Sequence, residues 1–316
     1  MIAMIYRRVR VSTRWVIPVL TVLAVSMAVA CGSAATATLP SAPEVTLGVG
    51  TDGLTPILAT TVLQVGAQRV SFLLTTPDSL IKVPGAVVTS VFLGDGEAAT
   101  ETKRAGFHIW PYGVRGSYAT EINFDRPGRW RLDIEVDREG VPGKTFVEVN
   151  VAAEGIVPGV GTVPPLSINK TLSQMGDMDQ LTTDYSPDPD LYQITIADAV
   201  TTGKPTVVVF ASPAFCTSPT CGPQTDTVTE LKEAYVSKAN FIHVEIYDDP
   251  HLIQGDLSQA TLVQAVDDWG ISAVPGWFNE SWTFVLDKNG AITQRFEGYA
   301  TLEELEEALT AVLGQV

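Results

Sequence analysis

Hydrophobic spacing changes character partway along this chain. In its first half the period is two. Trp130, Leu132, Ile134 and Val136 alternate with Arg129, Arg131, Asp133 and Glu135, and Tyr118, Thr120, Ile122 and Phe124 alternate just before them. Successive side chains of a strand point to opposite faces, so this spacing predicts half-buried strands. Further short strands are expected at residues 69–75, 86–93 and 145–151, with Arg126-Pro127-Gly128 as a turn. Short alternating runs punctuated by Gly and Pro predict an all-β sandwich over residues 44–152. His108, Trp110 and Tyr112 alternate as well and are expected in its core rather than facing a partner or a metal.

A Gly/Pro-rich stretch follows, with Gly155, Pro158, Gly159, Gly161, Pro164 and Pro165, and reads as a linker over residues 153–166. Beyond it, over residues 167–316, the pattern alternates between strand and helix. A β-rich apolar run at 206–211 precedes a helix at 223–236, whose Val228, Leu231 and Tyr235 share a face. A strand at 241–247 and a helix at 261–269 come next. Strands at 283–286 and 291–296 are joined by Asp287-Lys288-Asn289-Gly290, whose Asn-Gly step is a hairpin signal. The last helix opens on a capping box, Thr301 with Glu304, and presents Leu302, Leu305, Leu309 and Val312 on one side. The fold class expected is therefore an all-β sandwich followed by an α/β domain.

The chain carries 20 basic and 36 acidic residues, a formal net charge of −16, which makes nucleic acid a poor partner. Four of the basic residues, Arg7, Arg8, Arg10 and Arg14, precede an apolar run at 15–27 and the small residues Ala28-Val29-Ala30. That is the layout of an export signal over residues 1–30. Ala28-Val29-Ala30-Cys31 resembles a bacterial lipobox, and a Ser/Ala/Thr/Pro-rich tether continues over residues 31–43. The expectation is a cell-envelope protein anchored to the membrane through lipid on Cys31.

Cys216 and Cys221 are the two remaining cysteines of three. On one regular helix their α-carbons would be ~8.7 Å apart, beyond the ~7 Å that a disulfide spans, so at least Cys216 must precede the helix. A strand, a loop holding one thiol and a second thiol at a helix mouth is the local arrangement of a redox dithiol, with the helix N-terminus favouring a thiolate. Three readings are open: a reversible redox pair, a permanent cystine, and a metal site. A six-residue loop closes little chain entropy, about 2 kcal/mol, so the cystine would be a weak staple. For metal, soft thiolates with the imidazole of His251 would suit copper. His243, inside a strand, is expected to be structural.

Two resemblances add to this. The run GKPTVVVFASPAFC and the run SWTFVLDKNGAITQRFEGYATLEELEEAL resemble the entry to the active site and the closing hairpin and helix of thioredoxin-family proteins. The resemblance implies a thioredoxin-like domain over residues 167–316 that exchanges disulfides with protein thiols, Cys216 and Cys221 being its redox centre. Cys216, in the loop and so the more accessible sulfur, is expected to attack and Cys221 to resolve, although a helix start at Gly222-Pro223 leaves the reverse order open. The pair here is spaced C-x4-C, and Gln224 stands where the family's second cysteine would follow Cys221-Gly222-Pro223. Ser281 falls at the family's proline position before the hairpin, with Pro275 as rival. Asp226 is the candidate for the family's proton-handling acid. Sco-type copper chaperones share this fold and give the copper alternative on Cys216, Cys221 and His251. In the first half, GSYATEINFDRPGRWRLDIEV resembles the closing strands of immunoglobulin-like domains of the YtkA/FixH-like group. A non-catalytic interaction module is the remaining alternative.

Overall fold

The computed structural model describes residues 46–50, 53–111, 113–138 and 141–314. The export signal, Cys31 and Tyr112 lie outside the described residues.

The first half is all strand: β1 Thr55–Leu58, β2 Leu63–Gln64, β3 Gly66–Thr75, β4 Gly85–Phe92, β5 Glu101–Ile109, β6 Gly116–Phe124, β7 Gly128–Arg138 and β8 Val141–Ala152. They pair in the order β1-β3-β6-β5-β4-β7-β8-β2, parallel only between β8 and β2. β6 and β7 are consecutive in the chain, yet β5 and β4 lie between them in the sheet. They meet across the interior instead, where the rings of Phe124 and Trp130 stand edge to face at 5.2 Å. The sheet thus folds over on itself, closing one core around Phe72, Tyr118, Ile122, Trp130 and Leu132.

β5 corrects one expectation. Ala105 is buried and Phe107 packs on Tyr118 at 5.1 Å, so odd positions face the core. Strand alternation then puts His108 on the opposite face, and it and Trp110 are only half-buried.

The second half is α/β. β9 Thr206–Ala211, β10 Asn240–Glu245, β11 Trp282–Leu286 and β12 Ile292–Glu297 form a sheet in the order β10-β9-β11-β12. β10 runs parallel to β9, and β11 antiparallel to both β9 and β12. The helices are α1 Leu172–Met175, α2 Ile196–Ala199, α3 Cys221–Tyr235, α4 Gln264–Asp268 and α5 Leu302–Leu313. Every residue of β9 is buried because helices cover both faces, which is why this strand reads as a continuous apolar run. Val208 and Phe210 point to the side of α2 and α4, and Val207 and Val209 to that of α3 and α5. The expected order of strand, helix, strand, helix, hairpin and helix is observed. Thr301 and Glu304 form the capping box of α5.

Residues 153–166 are packed between the halves. Val157 is buried in the α/β core together with Val62 from the first half. Gly161 and Thr162 bond the backbone of Ile292 at 2.8 and 2.9 Å. Gly270, at φ 69°, lies so close under this segment that a Cβ would meet the Ile156 carbonyl at 2.3 Å. Buried polar side chains complete the junction. Arg295 donates to the carbonyls of Val157 and Val62, both at 3.0 Å, and to Gln68 Oε1 at 2.9 Å. Glu297 accepts from the Thr61 amide at 2.7 Å and from its hydroxyl. Arg69 pairs with Glu304 at 2.8 Å.

Candidate functional site: the Cys216–Cys221 loop

β9 ends at Ala211 and the chain turns at once, the amides of Phe215 and Cys216 both donating to the Ser212 carbonyl. Cys216 therefore sits in the loop and Cys221 is the first residue of α3, two residues earlier than the sequence suggests. The two sulfurs are bonded to each other, with α-carbons 5.9 Å apart. Cys221 is buried at 1 % exposure, whereas Cys216 is partly open to solvent. Solvent thus reaches one end of the cystine. The 15-residue helix α3 places its positive end at Cys221.

Asn279 holds the loop from the other side, a role that sequence reasoning missed. Its carbonyl oxygen lies 3.6 Å from Cys216 Sγ and 3.5 Å from Cys221 Sγ. Its side chain accepts from the Thr217 amide at 2.9 Å and donates to the Phe215 carbonyl and to Tyr247 Oη. The residue is left-handed at φ 50°, a conformation that asparagine tolerates better than most residues and that these bonds hold in place. Only its position just before β11 signalled it.

Glu280 is the second residue missed. Its Oε2 accepts from Ser218 Oγ at 2.8 Å and from Thr220 Oγ1 at 3.2 Å, both hydroxyls belonging to the cysteine loop. Ser218 Oγ is 3.7 Å from Cys216 Sγ. Thr220 stands at the N-cap of α3 but makes no side-chain cap, its hydroxyl turned to Glu280 and Ser218 instead. Burial pushes the Glu280 carboxyl up, and the two hydroxyls pull it partly back.

Beneath the loop lie two buried titratable groups. Glu245, at the end of β10 opposite Ala211, accepts from the Thr183 amide and hydroxyl at 2.8 and 2.9 Å. Burial carries its carboxyl up to about 7, with Ser212 and Thr183 opposing. Thr183 Oγ1 in turn accepts from the Ala214 amide, which ties Glu245 to the cysteine loop. His243 faces the Ala211 carbonyl through Nε2 and Tyr192 Oη through Nδ1. A carbonyl only accepts, so Nε2 carries the proton. Burial takes this imidazole down to about 4, which makes it the satisfied structural histidine expected.

Several expected residues are not brought to the sulfurs. Asp226 is five residues beyond Cys221 on α3, about 140° around the helix, and it is exposed while Cys221 is buried. Ser281 is fully buried, but its hydroxyl has no hydrogen-bond partner, and it is the Asn279 carbonyl that meets the sulfurs. Pro275 lies in the preceding turn. His251 stands exposed in a single helical turn, Pro250–Leu252. Among the described residues no three His, Cys, Asp or Glu side chains converge as a metal site requires, so Cys216, Cys221 and His251 are not assembled.

A cleft of about 310 Å³ reaches the loop at Thr217, Ser218 and Thr220. Its opposite wall is the first half of the chain, with Ile57 and Leu58 of β1, Leu73 of β3 and Trp110. Phe278, at 68 % exposure, stands at its side.

No family model and no curated protein matches the chain. Among solved structures it is similar to a thiol:disulfide interchange protein of the thioredoxin family from Chlorobium tepidum TLS. The two are 12 % identical with a TM-score of 0.30, over 43 % of this chain and 97 % of that one.

Proposed function

We propose that this chain is a thiol–disulfide oxidoreductase of the cell envelope, held to the membrane by lipid on Cys31, whose Cys216–Cys221 pair exchanges with cysteines of client proteins. The observation that carries this is the unequal burial of one cystine: Cys221 is enclosed at the mouth of α3 while Cys216 is reachable. A thiolate attacking Cys216 breaks the Cys216–Cys221 bond, forms a mixed disulfide on Cys216 and releases Cys221 as the leaving thiolate. A second client thiolate then attacks the client sulfur of that mixed disulfide, closing a client disulfide and releasing Cys216. The same steps reversed reduce a client. The β half, read as an immunoglobulin-like sandwich, supplies the far wall of the cleft beside the loop.

Single-cysteine variants test this. In Cys221→Ser a mixed disulfide with client protein is expected to accumulate on Cys216, and the reduced wild type should keep its fold. Resistance of the native protein to mild reductant, together with no trapped client in either Cys216→Ser or Cys221→Ser, rejects the reading. For the anchor, Cys31→Ser is expected to move the protein out of the membrane fraction.

A further inference from the structure

Resting on that reading, we infer that Glu280 sets the direction of exchange: through Ser218 it holds Cys216 as the neutral thiol, so that the pair works as a reductant of protein disulfides. The geometry is a chain of directed hydrogen bonds. An ionised Glu280 can only accept, so the Ser218 and Thr220 hydroxyls, which also bond each other, spend their protons on Oε2 and on the bond between them. Ser218 Oγ then turns a lone pair toward Cys216 Sγ, 3.7 Å away, and can take a bond from S–H but give none to S⁻. The Asn279 carbonyl, also an acceptor, faces the same sulfur at 3.6 Å. Both neighbours therefore favour thiol over thiolate.

Charge acts in the same sense. The titratable residues lining the cleft beside Glu280 are Glu297 and Tyr299, and no Lys, Arg or His is among the lining residues. Glu297 is occupied by Thr61 and Val62, and Tyr299 by Thr227. The β-lobe wall contributes only apolar and hydroxyl side chains. The positive end of α3 lies at Cys221 and, with the two sulfurs adjacent, acts on Cys216 as well in the opposite sense, so the hydrogen bonds have to outweigh it. A reduced form that gains little from ionising is a less stable reduced form, and its electrons pass more readily to another disulfide.

The step balances. Cys216–SH loses its proton to solvent, and the thiolate attacks one sulfur of a client disulfide, whose S–S bond breaks to release a client thiolate. Cys221 thiolate then attacks Cys216 Sγ, closing the cystine and releasing the second client thiolate. The client thiolates take up the two protons the cysteines lost, and two electrons have moved from the pair to the client. When Glu280 is protonated it donates to Ser218, whose proton is freed for Cys216 S⁻, and the bias weakens.

The test measures alkylation of Cys216 by iodoacetamide against pH in the reduced full-length chain, with the labelled peptide resolved by mass. It also measures the dithiol-to-cystine ratio in a glutathione buffer. Glu280→Gln is expected to alkylate about tenfold faster near neutral pH and to raise the dithiol fraction correspondingly, one pKa unit being tenfold in thiolate. Ser218→Ala should move both readouts the same way by less, and Glu280→Asp should restore part of the wild-type profile. Ser218→Ala and Glu280→Asp keep the test decisive if Glu280→Gln does not fold. Unchanged or slower alkylation in Glu280→Gln and Ser218→Ala overturns the inference while leaving disulfide exchange standing. A native cystine that no reductant opens overturns both together.

Discussion

The two halves of this molecule bury different things. In the β half the buried ionisable side chains among the described residues are Tyr118, whose hydroxyl is bonded to the Ile81 carbonyl, and Arg69, which faces the other half. The α/β half buries Tyr192, Lys232, His243, Glu245, Arg295 and Glu297. Burying such groups costs several kcal/mol unless each is partnered, so they gather where the fold has a reason to hold them. Here they gather beneath the cysteine loop and along the junction, except Lys232, which Asp188 and Asp190 hold. The β half is a well-filled apolar frame, and the α/β half is where protonation can matter.

The strongest way to separate these characters is to hollow the frame. Trp130→Ala removes the ring that Phe92 and Phe124 pack against, at 5.3 and 5.2 Å, and is expected to cost about 3–5 kcal/mol in denaturant unfolding. The Cys216–Cys221 exchange equilibrium, measured below the unfolding transition, should not move. A shifted equilibrium would mean that the frame tunes the chemistry. Next comes the junction: Arg295→Met leaves the carbonyls of Val62 and Val157 without their donor and should cost about 2–3 kcal/mol. Calorimetry should then resolve two transitions where the wild type gives one. The exposed Arg129–Glu148 pair is the control, and Arg129→Ala should cost no more than about 0.5 kcal/mol.

A pH slope is smaller than either the core or the junction effect. Glu245 is raised from 4.5 to about 7 by burial, so the folded state binds more protons than the unfolded one across that window. Its stabilisation is complete below 4.5 and is lost as pH rises through about 7. His243, lowered from 6.5 to about 4, has the opposite sense: its stabilisation is complete above 6.5 and is lost as pH falls through about 4. Denaturant midpoints should therefore fall between about pH 5.5 and about pH 8, by on the order of 1 kcal/mol, and Glu245→Gln should turn that fall into a rise, because only His243 is left to titrate.

Much of the frame was legible because its signals are local. Alternation located β3, β4, β6, β7 and β8, the continuous apolar run fixed β9 at its observed ends, and Thr301 with Glu304 marked the start of α5. β5 escaped because Thr102, Lys103 and Arg104 are all exposed, which blurs its period. The cysteine pair itself was legible as two residues, one in a loop and one at a helix mouth. Its surroundings were not. Asn279 and Glu280 lie some sixty residues from Cys216 in the chain and reach it through a left-handed backbone turn and two loop hydroxyls. No periodicity encodes such a contact. Asp226 is near Cys221 in sequence, but helical geometry turns it the other way. The acid beside the loop came instead from the segment leading into β11.

The bonding of Gly161 and Thr162 along Ile292 has a mechanical consequence. The segment linking the halves runs as a seam beside the outermost strand of the second sheet, so the halves are laced together rather than strung on a loose tether. The opening beside Ser218 and Trp110 takes one jamb from each of the two laced parts.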